Sequence, residues 1–190
     1  MTGPEHALLV RDFVNTYDLQ CDIEEFGAPS DLSGWLAERG LVASGASANE
    51  SDLGLAVALR EGLRAAMLGR ARPELEGLLA ALPMRLSLDG PRLVPIHRGV
   101  RGGLAEVAAA VMASASDGTW ERLKACRATG CRWAFLDTSK NRSRAWCSMR
   151  MCGNRTKTRA YRERRRSGIP VARRKIGADD ADVTNERTSV

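Results

Sequence analysis

Apolar residues recur along this chain at two spacings, and the change of spacing predicts where helices give way to strands. Leu9, Val10, Phe13, Val14 and Tyr17 fall on one helical stripe, which predicts a helix over residues 5–19. Asp31 reads as the cap of a short helix, DLSGWLAERG, that buries Leu32, Trp35 and Leu36 and stops at Gly40. Residues 43–50 read as a loop. Asn49 or Ser51 then caps a longer helix to about Leu68, with Leu53, Leu55, Ala56, Leu59, Leu63 and Met67 in register and Gly54 and Gly62 weakening it. Pro73 suits the first turn of PELEGLLAAL, which ends before Pro83.

Past Pro83 the period drops to two: Met84, Leu86 and Leu88 alternate, Asp89-Gly90-Pro91 signals a turn, and Leu93 and Val94 follow. The expectation is a β-hairpin. Helical spacing returns over residues 103–114 and again over 119–125, where Thr119 is a candidate cap. From Cys126 short strands are expected around cysteines. The segment after Arg166 lacks core periodicity and reads as a mobile tail.

Composition narrows the class. With 44% hydrophobic and 27% charged residues over 190 positions, the chain can bury a real core, and an aromatic content of only 5% fits helices packed with Ala and Leu. The first apolar run is broken by Arg11 and Asp12, and no run approaches the roughly 18 apolar residues of a membrane span. A cytoplasmic protein with no membrane partner is expected.

Charge is unevenly spread. Residues 1–121 hold 10 Lys/Arg against 17 Asp/Glu, residues 122–175 hold 18 against 2, and residues 176–190 hold 1 against 4. An acidic body is joined to a basic module, and such modules commonly meet a polyanion, although the same charge also serves solubility or docking on the body.

Four of the five cysteines form the pattern Cys126-x4-Cys131-x15-Cys147-x4-Cys152, while Cys21 stands apart as an ordinary thiol. Two close pairs across a fold-back can offer zinc a tetrahedron of thiolates. The spacing lacks the CxxC of redox dithiols and does not match common iron–sulfur patterns. One structural Zn2+ is therefore expected on Cys126, Cys131, Cys147 and Cys152. Gly130 is read as the residue that permits the tight turn between the first two ligands. Trp133, Phe135 and Trp146 flank the polar loop 138–144, which reads as two strands and a turn ahead of a helix from about Gly153. A knuckle, a hairpin and a ligand-bearing helix make a treble-clef-like arrangement. Four thiolates saturate the ion, and His6 and His97 offer no acid–base pair, so no enzyme is expected and no catalytic residue is assigned.

On the final helix Arg155, Arg159, Arg162 and Arg166 recur at steps of four, three and four and line one face. With Lys157 beside them and Lys140, Arg142 and Arg144 on the hairpin loop, they are the candidate nucleic-acid contacts, gripping phosphates from two directions. DNA is the expected partner. RNA is the other nucleic-acid reading, in which Trp133, Phe135 or Tyr161 would stack on bases. The bland alternative is a solvated helix.

Cys152-Gly153-Asn154-Arg155, preceded by LDTSKNRSRAWCS over residues 136–148, resembles the bacterial CGNR zinc-finger family. Asp12-Phe13-Val14-Asn15-Thr16 and the later DLSGWLAERGL are similar to the ABATE domain that usually precedes that finger. The resemblance implies a stress-induced transcription regulator whose finger binds zinc and DNA. It marks Gly153, Asn154 and Arg155 as a signature: Gly153 for a tight turn, Asn154 as a helix cap, and Arg155 either as a phosphate contact or as a local bond near the knuckle. Asp12 and Asn15, one turn apart, either line a pocket for an unknown small-molecule effector or satisfy buried backbone groups at a helix crossing.

The expectation is thus an α+β chain. Residues 1–122 form a mainly helical ABATE-like domain with one β-hairpin, residues 123–166 a treble-clef-like zinc finger with a basic helix, and residues 167–190 a flexible tail. A zinc-dependent DNA-binding regulator is the first functional reading. The alternative is a protein–protein or small-ligand module whose zinc finger is purely structural.

Overall fold

The computed structural model describes residues 3–70, 73–90 and 92–167, so the expected tail from residue 168 onward lies outside the described residues. The chain divides into two units, residues 1–156 and 157–190, taken separately below.

The first unit mixes helices with three two-stranded antiparallel pairs. Helix α1 (Gly3–Val14) presents Leu9, Val10, Phe13 and Val14 to α5 (Gly99–Ser116), whose Leu104, Ala105, Val107 and Ala108 complete the seam. Helix α2 (Pro29–Glu38) adds Leu32, Trp35 and Leu36, and the rings of Phe13, Phe26 and Trp35 meet with centroids 5.5–6.0 Å apart. Gly103 of α5 lets α2 come close, since a Cβ there would stand 2.9 Å from Val42 and 3.3 Å from Leu36. Helix α3 (Glu50–Met67) starts as its sequence demands, with the Asn49 side chain accepting from the Asp52 amide at 3.0 Å. Helix α4 (Pro73–Ala80) lays Leu75 over Gly62.

The expected hairpin forms from β3 (Met84–Ser87) and β4 (Arg92–Pro95), with Met84 opposite Pro95 and Leu86 opposite Leu93. A pair absent from the sequence expectation, β1 (Tyr17–Asp18) and β2 (Ile23–Glu24), ends the first helix at Val14 rather than at residue 19. The cap of α2 also differs: Asp31 sits inside the first turn and accepts from the Ala28 amide at 2.8 Å. Expected helix over 119–125 is a single 3-10 turn, Trp120–Arg122, followed by strand β5 (Leu123–Ala125), which buries Leu123 and Ala125 while Lys124 stays half-buried between them. That alternation is a strand signal in three residues, too short to outweigh the helical pattern before it.

Strand β5 pairs with β6 (Ala134–Leu136), and helix α1 packs against β6. Asn15 fixes this contact: its amide group donates to the Ala134 carbonyl at 3.0 Å, and its carbonyl oxygen accepts from the Ala134 amide at 2.7 Å. Arg64 of α3, 2% exposed, donates to the carbonyls of Val14 and Tyr17 at 2.6 and 3.0 Å and to that of Arg132 at 3.1 Å. Its neighbour Arg60 forks onto Glu24 at 2.6 and 2.7 Å. Burial opposes the Glu24 charge, yet the Arg60 fork holds its carboxyl below the ordinary value.

Asn15 and Asp12, three residues apart in sequence, predict unequal costs. Asn15→Ala leaves both polar groups of Ala134 unpaired in a buried place and should lower stability by about 3 kcal/mol. Asp12→Ala, at a side chain 40% exposed whose ionic partner is its neighbour Arg11, should cost under about 0.5 kcal/mol. Urea unfolding of the zinc-loaded variants measures both, and equal losses would contradict the assignment.

Candidate metal centre

Cys126 ends the β5 ladder, its amide donating to the Trp133 carbonyl at 2.9 Å, and the chain turns back so that the Cys131 amide reaches Ala128 at 2.9 Å. The turn draws its left-handed residue not from Gly130, as expected, but from Arg132, whose φ is +51°. The second pair arrives differently. Ser148 caps a π-helical turn, Met149–Gly153, by accepting from the Met151 amide at 3.2 Å, and helix α6 (Asn154–Arg166) continues from it. Capping therefore falls to Ser148 and not to Asn154, whose φ and ψ of −65° and −42° are already helical. At Gly153 a Cβ would lie 2.5 Å from Met149 Sδ, the end of a flexible and exposed side chain that can swing aside, and the backbone there is not left-handed, so the expected tight turn does not require glycine.

These turns bring the four sulfurs of Cys126, Cys131, Cys147 and Cys152 within 4.8 Å of one another. Cys131 and Cys147 are 3.6 Å apart and Cys147 and Cys152 3.7 Å, all unbridged. A disulfide needs about 2.05 Å. A zinc ion at about 2.3 Å from each sulfur sets a tetrahedral edge of about 3.8 Å, which these two separations match. Cys126, Cys131 and Cys152 are buried and Cys147 half-buried, in a small cluster with Phe135, Trp133 and Trp146 that is separate from the helical core. The donor set fits one Zn2+.

Without a cation two of the thiols resist ionisation. Burial pushes Cys131 up to about 11 and Cys147 higher still. Burial acts the same way on Cys152, but the Arg155 guanidinium 3.6 Å away and the neighbouring thiols bring it below its ordinary value. Arg155 also donates to Gln20 at 2.7 Å, bonding the β1–β2 turn to the metal centre.

The expected polar loop is not a turn between two paired strands, because the partner of β6 is β5 and the Trp146 segment forms no strand. Asp137, fully buried, organises it instead. Its carboxylate accepts from Lys124 at 2.6 Å, from the Ser139 hydroxyl at 2.6 Å and amide at 3.0 Å, and from the Arg144 amide at 3.0 Å. Burial disfavours its charge, but these donors, Lys124 first, hold the carboxyl far below the usual range. Sequence reasoning passed over Asp137. Its signal was its isolation as one of two acids among the 18 cations of residues 122–175.

Several candidate nucleic-acid contacts are spent inside this first unit. Arg144 donates to the carbonyls of Trp146 and Cys147 and lies 4.9 Å from the Phe135 ring centre, and Arg142 pairs with Glu121. Lys140 is exposed. In the second unit Lys157, Arg159, Arg162 and Arg166 are exposed on α6, as are Arg164 and Arg165. Asp12 and Asn15 both border a cleft, although both polar atoms of the Asn15 side chain are taken by Ala134.

Residues 122–165 match the model of the CGNR zinc finger family, a stretch that contains all four clustered cysteines. No curated protein matches the chain. Residues 122–165 are thus similar to a CGNR zinc finger, and their four clustered cysteines are placed to hold one zinc ion. Among the described residues no helix is long and apolar enough to cross a membrane.

The zinc-loaded protein should contain one ion per chain by atomic absorption, and Cys152→Ser should lose it. Protons compete for thiols held as high as these, so zinc affinity in a chelator competition should fall by at least about a hundredfold from pH 8 to pH 6. Arg155→Ala should weaken zinc retention by about tenfold, as expected for a group bonded to a ligand sulfur.

Proposed function

We propose that the protein is a cytoplasmic, zinc-dependent DNA-binding transcription regulator. In this reading residues 1–122 are an ABATE-like regulatory half, and residues 123–166 are a treble-clef-like finger whose basic helix meets the phosphate backbone. One observation carries it. Helix α6 presents seven Lys/Arg against one Glu in 13 residues, and every one of those cations is exposed. An isolated helix of such charge repels itself, and a polyanion relieves that repulsion.

The resemblance of residues 12–16 to the ABATE signature supports the regulatory half, and a stress signal is the input that the resemblance implies. The cytoplasm suits four cysteines used as ligands rather than as bridges. Four thiolates fill the coordination of a tetrahedral ion, so the metal serves folding, and no catalytic step is assigned to it.

Arg155 is engaged with Cys152 and Gln20, so the test spares it and removes Arg159, Arg162 and Arg166. Zinc-loaded protein should bind duplex DNA with a slope of log affinity against log salt near −5, for about six phosphate contacts. The triple alanine variant should lose about three units of that slope at unchanged zinc content. No binding at low salt, or equal binding by the variant, would leave the finger as a structural element. Tighter binding of single-stranded RNA would replace DNA by RNA, with the half-exposed Tyr161 as the stacking residue.

A further inference from the structure

Helices α1 and α2 and strand β6 border an open cleft of about 720 Å3, wholly within residues 1–156. This lies inside the range of small-molecule sites, about 300–1,000 Å3. Its apolar lining includes the half-buried Leu8, Trp133 and Leu136. Three guanidinium groups border it, those of Arg11, Arg39 and Arg144, against two carboxylates, Asp12 and Glu25.

The cations are unequally satisfied. Arg11 bonds Asp12 at 2.7 and 2.8 Å, which neutralises both. Arg144 is bonded to two carbonyls and makes no ion pair among the described residues. Arg39 lies 3.9 Å over the Trp35 ring, bonds the Trp35 carbonyl at 3.2 Å through Nη1, and has Glu38 only at 3.7 Å, on a side chain 78% exposed. Held over an aromatic face, with Nη1 on the Trp35 carbonyl, the guanidinium retains N–H donors on its other nitrogens, which a carboxylate can receive in pairs. Among the lining residues one cation is in excess, and with apolar walls and the Arg39 guanidinium this favours a planar organic anion over a neutral or cationic ligand.

We propose that this cleft binds a small aromatic carboxylate, its carboxylate on Arg39 and its ring against Leu8, Trp133 and Leu136. The proposal rests on the reading of the N-terminal half as regulatory and gives that half a ligand class. The apolar wall begins two residues after Cys131, and Cys147 itself borders the cleft. A bound ligand therefore braces backbone between two zinc ligands.

Calorimetric titration of naphthoate into the zinc-loaded full chain, with no nucleic acid present, tests this. A dissociation constant of about 0.1–1 mM is expected, and naphthoate should slow zinc transfer to a chelator. Naphthamide, which lacks the charge, and inorganic phosphate, which lacks the ring, should each bind at least about tenfold more weakly. Arg39→Ala should lose about tenfold, and Thr138→Trp, which fills the cleft from an exposed position, should abolish binding, while Arg85→Ala on the distant hairpin should change nothing. No naphthoate binding, equal binding of the amide or of phosphate, or binding that survives both cleft variants overturns the proposal. With DNA absent, failure here leaves the DNA-binding reading standing, and loss of DNA binding leaves occupancy of the cleft measurable.

Discussion

Four sulfur atoms held within 4.8 Å of one another are the constraint on which the finger depends. As thiols, Cys131 and Cys147 resist ionisation, and as thiolates the four repel at close range. A divalent cation resolves both problems at once, because it pays the desolvation of each ligand with a direct bond. The three-residue strands β5 and β6 bury too little surface to hold the two cysteine turns together without it.

The helical body supplies the second clamp. Asn15 saturates both polar groups of Ala134, and Arg64 gathers carbonyls from α1, β1 and the stretch before β6. Buried arginines in a small protein are otherwise a liability, since an unpaired guanidinium in the core is strongly unfavourable. Arg60 and Arg64 are tolerated because each finds carboxylate or carbonyl partners, Arg60 on Glu24 of β2 and Arg64 on the end of α1, on β1 and on the turn before β6. In residues 1–156 the body and the cysteine cluster thus share one compact unit.

Long periodic segments were legible from sequence. Asn49 and the stripe from Leu53 to Met67 gave α3, and alternation about the Asp89-Gly90 turn gave the β3–β4 pair. The metal ligands were legible because four cysteines at paired spacing have few other uses in such a chain. What escaped were features without a period. Two-residue strands β1 and β2 carry no alternation to read. The left-handed turn at Arg132 escaped because Gly130, two residues earlier, is the residue type that usually takes such a turn. The pairing of β6 with β5 rather than with the Trp146 segment is a tertiary choice, decided by Asp137, which ties up the loop that would have had to turn.

The same distinction separates the cations of the basic module. Counted along the sequence, they look alike. In the fold, Lys124 closes on Asp137, Arg122 donates to the carbonyls of Asp137 and Ser139, Arg144 brackets Cys147, and Arg155 rests on Cys152. These hold a loop or a sulfur, and their charge is partly consumed. The cations of α6 from Lys157 onward have a single acid, Glu163, among them on the helix. Charge density along a sequence therefore overstates the surface offered to a polyanion, because near a metal centre many cations are needed to fix irregular backbone. The cations left over after that requirement is met are the ones free for nucleic acid, and apart from exposed loop residues such as Lys140 they are concentrated on α6.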